Sequence, residues 1–220
     1  MRVQVKICGL NSPQVADAAA KAGADYAGLV FFPGSPRVVR PEQAVSLSAH
    51  LRGRCQVVAL FADASDAEID VGVKAARPDL LQLHGRETVA RVAAIRARLG
   101  LPVMKSIAVA DADDLMSAAS YEQVADMLLF DARAPAGASR PGGLGAAFDW
   151  QLLHGRRFSR PWLLAGGLTA ENVGRAIHAS GAPGVDCSSG VETSPGVKSP
   201  QLIRQFVATA RETYAIEAGS

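Results

Sequence analysis

The chain is 220 residues long, 49% hydrophobic and 20% charged, with a net charge of +2. That is enough for one large soluble domain or two small ones. Near-balanced charge, spread along the chain, gives no basic stripe for nucleic acid and no cationic amphipathic helix for a membrane surface, and no apolar run approaches the ~20 residues that span a bilayer.

In chain order, "VQVKIC" (3–8) reads as a strand from the outset, with no signal-peptide anatomy before it. A helix follows over 12–23, "SPQVADAAAKAG", where Ser12 and Pro13 have the residue types of N-cap and first helical position and Gly23 that of a stop. Further strands are predicted at 25–32, 55–61, 80–84, 102–109, 127–131, 162–165 and 184–188. Helical spacing recurs at 86–100 ("RETVARVAAIRARLG") and 169–181 ("TAENVGRAIHASG"), ending in Gly100 and Gly181. The sixth unit is the weakest, a long Gly/Pro-rich loop leading to a short helix near "FDWQLLHG" (148–155). Strand–helix alternation without a break in composition predicts one α/β domain over 1–220 with a parallel sheet. Eight such units in this length match a (β/α)8 TIM barrel, parallel and eight-stranded; a doubly wound open sheet is the alternative. The cysteines (Cys8, Cys55 and Cys187) are odd in number and lack framework spacing, so they read as reduced thiols of a cytoplasmic protein. No CxxC and no zinc-ligand spacing of histidines occurs, so no metal is expected.

In a barrel, function collects at the C-terminal strand ends. Alternation along the first strand puts Val3, Val5 and Ile7 on the face toward the helices and turns Lys6 and Cys8 inward, with Cys8 at the mouth. The same reading of the other strand ends yields His84 in "LQLHG", Asp131 in "LLFDA" and Asp186 in "GVDCSSG", with Arg37 following the second strand in "FFPGSPRVV". Asp186 is suited either to a ribose hydroxyl or to Lys6. Cys187 alternates outward into the core, and Cys55 opens the third strand at the opposite end.

"LAGGL" (164–168) and "DCSSGVE" (186–192) occupy the last two strand–helix loops, where barrels commonly bind phosphate. Gly166, Gly167, Ser188, Ser189 and Gly190 leave backbone N–H groups open to an anion. Thr169 is expected to cap the helix that follows.

"KICGL", "FFPGSPRVV", "LQLHG", "GGLGAAFDW" (142–150), "LLAGGLTAENV" and "GVDCSSGVETSPGVK" (184–198), taken together and in register along essentially the whole chain, resemble the phosphoribosylanthranilate isomerases of tryptophan biosynthesis. Two positions depart from the family pattern: Leu144 stands where a hydroxyl residue is usual, and Ser199 where Asp is usual. The resemblance implies an Amadori rearrangement of N-(5′-phosphoribosyl)anthranilate to the aminoketose, with Cys8 as general base, Asp131 as general acid and no cofactor. The partner implied is a small phosphoribosyl substrate; the enzyme is expected as a monomer or homodimer, without nucleic acid or membrane.

The residues suit those roles. A carboxylic acid can protonate the furanose oxygen while a thiolate on the other side of the sugar takes the C2′ proton. The Arg37 guanidinium pairs naturally with the anthranilate carboxylate. Ordinary side-chain pKa values run against the pair, however: independent groups at about 8.5 and 3.9 would both be in the working state in roughly one molecule in 40,000 at pH 7. Lys6, two residues below Cys8, is expected to favour the thiolate. Two rivals remain: the aminoaldose isomerase of the histidine branch, which carries Asp where Cys8 stands, and a barrel that binds a phosphorylated ligand without turning it over.

Overall fold

The computed structural model describes residues 2–133 and 147–218. Leu144 therefore lies outside the described residues. Eight strands close into a parallel barrel: β1 (Gln4–Cys8), β2 (Tyr26–Val30), β3 (Gln56–Phe61), β4 (Leu80–Leu83), β5 (Val103–Val109), β6 (Met127–Ala132), β7 (Trp162–Leu164) and β8 (Gly184–Cys187). The helices are α1 (Pro13–Ala22), α2 (Pro41–Leu51), α3 (Asp66–Ala76), α4 (Val89–Leu99), α5 (Ala118–Glu122), α6 (Val173–Ser180) and α7 (Pro200–Ala218). Between β6 and β7 the described residues contain a short helix of 3-10 type, Trp150–Leu153, within the 148–155 segment where one is expected. No helix among the described residues is long and apolar enough to cross a membrane.

The alternation read from the sequence sets the two layers. Val3, Val5 and Ile7 are fully buried in the large cluster shared with the helices, while Tyr26, Val58, Leu80, Met104, Met127, Leu129 and Leu163 form a separate cluster that fills the barrel. Pairing aligns Lys6 with Asp186 across β1 and β8, and Cys8 with Gly28 across β1 and β2.

Helix boundaries follow local chemistry. Gly23, Gly100 and Gly181 end α1, α4 and α6 with φ of 85°, 64° and 69°, the left-handed region where a Cβ is costly. Regular α6 starts at Val173, and Thr169 caps the turn that leads into it: its Oγ1 accepts from the Glu171 N–H at 3.2 Å, its carbonyl accepts from the Val173 N–H at 3.0 Å, and Asn172 Oδ1 accepts from the Thr169 N–H at 2.8 Å. Ser199 accepts from the Leu202 N–H at 3.3 Å ahead of α7, so the departure from Asp at this position keeps a competent capping oxygen.

A repeated device secures the lower end of the barrel. Asp25, Asp79 and Asp126 immediately precede β2, β4 and β6, and their carboxylates accept the backbone N–H of Val5, Val57 and Val103 at 2.7, 2.8 and 3.0 Å. Each locks an odd strand to its even neighbour and leaves the upper ends for chemistry.

Candidate active site

Four of the side chains singled out in the sequence line the inside of the barrel mouth: Cys8, His84, Asp131 and Asp186. Cys8 ends β1, with its side chain almost fully enclosed at 5% exposure. Gly28 is what makes room for it. A Cβ there would lie 2.9 Å from Cys8 Sγ and 3.3 Å from Lys6 Nζ, so both groups occupy space that any other residue on β2 would fill.

Lys6 is fully buried and donates to Asp186 Oδ1 at 3.0 Å. Of the two partners suited to Asp186, the structure shows Lys6. Burial opposes the ammonium, but Asp186 and Cys8 outweigh it and hold the Lys6 pKa above its ordinary value. Asp186 is pushed up, chiefly by burial, with Lys6 pulling the other way. Burial also pushes the Cys8 thiol up; Lys6 lowers it, but burial prevails. The expectation that Lys6 would favour the thiolate thus holds in direction, and desolvation decides the outcome in the free site.

Three strands round from β1, Asp131 is the penultimate residue of β6. Its Oδ1 accepts the Ala132 N–H at 2.9 Å and its Oδ2 lies 3.1 Å from His84 Nε2. His84 Nδ1 is in turn 2.9 Å from Gln82 Nε2. With the Gln82 amide donating, Nδ1 is the acceptor and Nε2 carries the proton directed at Asp131. The structure thus aims His84 at the acid. Gln82 is a site residue that the sequence motifs do not announce, although alternation from Leu80 already turns it inward with His84.

Arg37 lies at the rim, buried, with its fork on a carboxylate of the protein itself. Nε and Nη2 donate to Glu192 Oε1 and Oε2 at 2.7 and 2.8 Å. The edge of Arg37 expected to face a substrate carboxylate is therefore occupied by Glu192. Glu192 opens a small hairpin of β9 (Glu192–Ser194) and β10 (Val197–Lys198), and Lys198 Nζ returns to Glu192 Oε1 at 2.8 Å. Arg37 and Lys198 hold Glu192 below the usual carboxylate range against the upward pull of burial. Burial in turn lowers Lys198. Glu192 and Lys198 both sit inside "GVETSPGVK", where small and turn-forming residues dominate the pattern and mask them.

The five predicted anion-binding residues lie in two adjacent loops, all part-exposed. A Cβ on Gly190 would fall 1.9 Å from the Leu168 carbonyl oxygen, so the two loops meet backbone to backbone at a position that only glycine satisfies. Cys187 faces outward as expected, donating its S–H to the Leu168 carbonyl at 3.1 Å. The arrangement offers a thiol on β1 and a carboxyl on β6 at the same end of one closed barrel, with an arginine at the rim beside a loop pair of small residues after β7 and β8.

Known proteins resemble this chain in sequence and in fold. A family model described as N-(5′-phosphoribosyl)anthranilate (PRA) isomerase matches residues 5–209. The N-(5′-phosphoribosyl)anthranilate isomerase of Rhodopseudomonas palustris (strain BisA53) is 54% identical over 213 residues, covering 97% of this chain and 98% of its own. The crystal structure of phosphoribosyl anthranilate isomerase from Thermotoga maritima matches with a TM-score of 0.84 and 33% identity, over 96% of this chain and 99% of that one. A crystal structure of phosphoribosyl anthranilate isomerase in complex with reduced 1-(o-carboxyphenylamino)-1-deoxyribulose 5-phosphate matches with a TM-score of 0.81 and 31% identity, again over 96% and 99%.

Proposed function

The chain belongs to the N-(5′-phosphoribosyl)anthranilate isomerase family, and on that premise we propose that its proton transfers are divided between Cys8 as general base and Asp131 as general acid. The reaction is the Amadori rearrangement of N-(5′-phosphoribosyl)anthranilate to 1-(2-carboxyphenylamino)-1-deoxyribulose 5-phosphate, a step of tryptophan biosynthesis. The observation that carries the assignment of roles is the placement of a thiol at the upper end of β1 and a carboxyl at the upper end of β6, three strands apart round one closed barrel.

Asp131 gives its proton to the furanose ring oxygen as the C1′–O bond breaks, and the anilino nitrogen lone pair forms the C1′=N Schiff base. The Cys8 thiolate then removes the C2′ proton, and that electron pair forms the C1′=C2′ bond of an enolamine. Loss of the 2′-hydroxyl proton and protonation of C1′ yield the ketose. The acid has given one proton and the base has gained one, so a single exchange with water resets both groups. His84 fixes the acid's carboxyl, and Lys6 supplies a positive charge beneath the thiolate; Asp186 acts through Lys6.

Binding uses the two anionic ends of the substrate. Gly166, Gly167, Ser188, Ser189 and Gly190 receive the phosphate, and the Arg37 guanidinium receives the anthranilate carboxylate. Pinning both ends holds the ribose between base and acid, which is where an enzyme without a cofactor gains most of its rate. The chain 1–220 works as one catalytic domain in the cytoplasm.

The test follows anthranilate-type fluorescence as freshly made phosphoribosylanthranilate is consumed by wild type, Cys8→Ala and Asp131→Asn. Rapid loss with wild type and rates near zero in both variants are expected. Wild-type rates in Cys8→Ala would place the base elsewhere, and no turnover by folded wild type would return the barrel to a ligand-binding role.

A further inference from the structure

We infer that Glu192 is a positioning residue for substrate specificity: it aims Arg37 at the substrate carboxylate and ties that recognition to the phosphate loop through Lys198. This rests on Arg37 meeting the carboxylate, as proposed above. It concerns a residue that touches neither end of the substrate itself.

Two of the described contacts fix Arg37. Its aliphatic stem crosses Gly9, where a Cβ would lie 2.6 Å from Arg37 Cδ, and its fork lies on both oxygens of Glu192. Arginine loses much rotamer freedom when it binds an anion, so a side chain already fixed binds a carboxylate at smaller entropic cost. The guanidinium has five N–H donors in a rigid plane. With two of them on Glu192, the plane and hence the direction of the others is set before substrate arrives.

Glu192 also reaches the phosphate loop. Lys198 Nζ donates to Glu192 Oε1 at 2.8 Å, to the Ser188 carbonyl at 2.9 Å and to Ser188 Oγ at 3.2 Å. Ser188 Oγ donates to the Cys8 carbonyl at 3.2 Å. One chain of contacts therefore runs from the carboxylate-recognising arginine through Glu192 and Lys198 to the phosphate loop and the end of the catalytic strand. All three charged side chains are at most 5% exposed. Two cations and one carboxylate leave this buried group a single positive charge in excess, which suits a site that must accept an anionic ligand at each end. The hairpin that carries Glu192 is seated by a close approach: a Cβ on Gly196 would lie 2.5 Å from the Pro36 carbonyl oxygen, and Asn11 Nδ2 donates to the Gly196 carbonyl at 2.9 Å.

The test compares kcat/KM for phosphoribosylanthranilate with that for N-(5′-phosphoribosyl)aniline, which lacks the carboxylate. Arg37→Met should collapse this ratio by about a hundredfold, since it deletes charge-assisted hydrogen bonds. Glu192→Gln keeps length and one accepting oxygen but turns an N–H toward Arg37; it should lower the ratio by about tenfold and leave the aniline substrate within about threefold of wild type. In the Arg37→Met background the same Glu192→Gln change should alter the ratio by less than about twofold, because nothing remains to be aimed. Equal losses on both substrates in Glu192→Gln would make Glu192 merely structural and overturn the inference. An unchanged ratio in Arg37→Met would instead overturn the carboxylate reading beneath it. If Glu192→Gln does not fold, Glu192→Asp gives the same reading: it keeps the charge but is one methylene short of spanning Arg37 and Lys198, and an unaltered ratio would equally overturn the inference.

Discussion

Lys6 Nζ lies 3.0 Å from Asp186 Oδ1, with the ammonium fully buried and Cys8 two residues further along the same strand face. The pair acts on Cys8 with opposite signs, Lys6 lowering the thiol pKa and Asp186 raising it. A base that titrates above its partner acid gives a characteristic kcat/KM profile. Between the two pKa values the working fraction is flat, at a height set by their difference. Above the thiol pKa the rate falls, because the thiolate is already formed while the protonated acid grows ever rarer. Burial lifts Cys8 above its usual 9.0, so the alkaline fall should begin above that value. Lys6→Met should move it higher still, and Asp186→Asn should move it down by keeping the ammonium for Cys8. The plateau moves the other way: it drops in proportion as the thiol becomes a weaker acid and rises as it becomes a stronger one. A limb that moves the same way in both variants, or in neither, removes Lys6 and Asp186 from the control of Cys8.

The same pair bears on stability. Removing one member of a buried ion pair leaves the other uncompensated and typically costs about 3–5 kcal/mol. Lys6→Met should therefore lower the urea midpoint markedly, while Lys6→Met combined with Asp186→Leu should recover part of the loss. A double variant no more stable than the single one would show that packing, not the orphaned carboxyl, carries the cost.

Gly28→Ala tests the space around the thiol. The new methyl would meet Cys8 Sγ at 2.9 Å and the Cys8 Cα at 3.1 Å, and the backbone atom cannot give way as a flexible side chain would. A misplacement of about 1 Å at the reacting group can cost about a hundredfold. The variant should fold, bind with KM within about threefold of wild type and lose about ten- to a hundredfold in kcat. A kcat near wild type would mean that the thiol has room to spare.

Gln82 and His84 act in series on Asp131, at 2.9 and 3.1 Å. Groups that work as one unit give non-additive losses. Gln82→Leu and His84→Ala should each lower kcat by about tenfold or more, and the double variant should be no worse than His84→Ala alone. Multiplying effects would show that Gln82 supports the barrel interior independently of the acid.

The residues that end strands are legible because alternation alone decides which side chains point inward: Val5 and Ile7 have to face the helices, so Lys6 and Cys8 cannot. The choice between barrel and open sheet is narrowed by length and closed only by the pairing of β1 with β8. What the sequence hides are the partners. Nothing local in "GVETSPGVK" shows that Glu192 meets an arginine 155 positions away.

Asp126 separates two contributions at the lower end of the barrel, far from the chemistry. Its Oδ2 accepts the Val103 N–H at 3.0 Å, and Arg96 pairs with both carboxylate oxygens at 2.8 and 2.7 Å. The Arg96 hydrogen bond is the main cause holding the Asp126 pKa below its usual 3.8. Arg96 is half exposed, and pairs of that kind contribute at most about 1 kcal/mol. Leaving a part-buried backbone N–H without a partner costs about 1–3 kcal/mol. The backbone bond should therefore dominate. At pH 7 Asp126→Ala should lose about 1–2 kcal/mol, while Asp126→Asn, which can still accept from Val103, should lose well under 1. The charge effect has a fixed sign with pH: a carboxylate whose folded pKa is depressed stabilises the fold above its ordinary value, and that contribution is lost as pH falls through the folded pKa. The small gap between wild type and Asp126→Asn should close below about pH 3.8, while the gap to Asp126→Ala should persist. Urea titrations at pH 7 and pH 3 measure both, with kcat at pH 7 unchanged in either variant. If Asn costs as much as Ala at pH 7, the charge on Asp126 holds β5 to β6, and the hydrogen bond to Val103 does not.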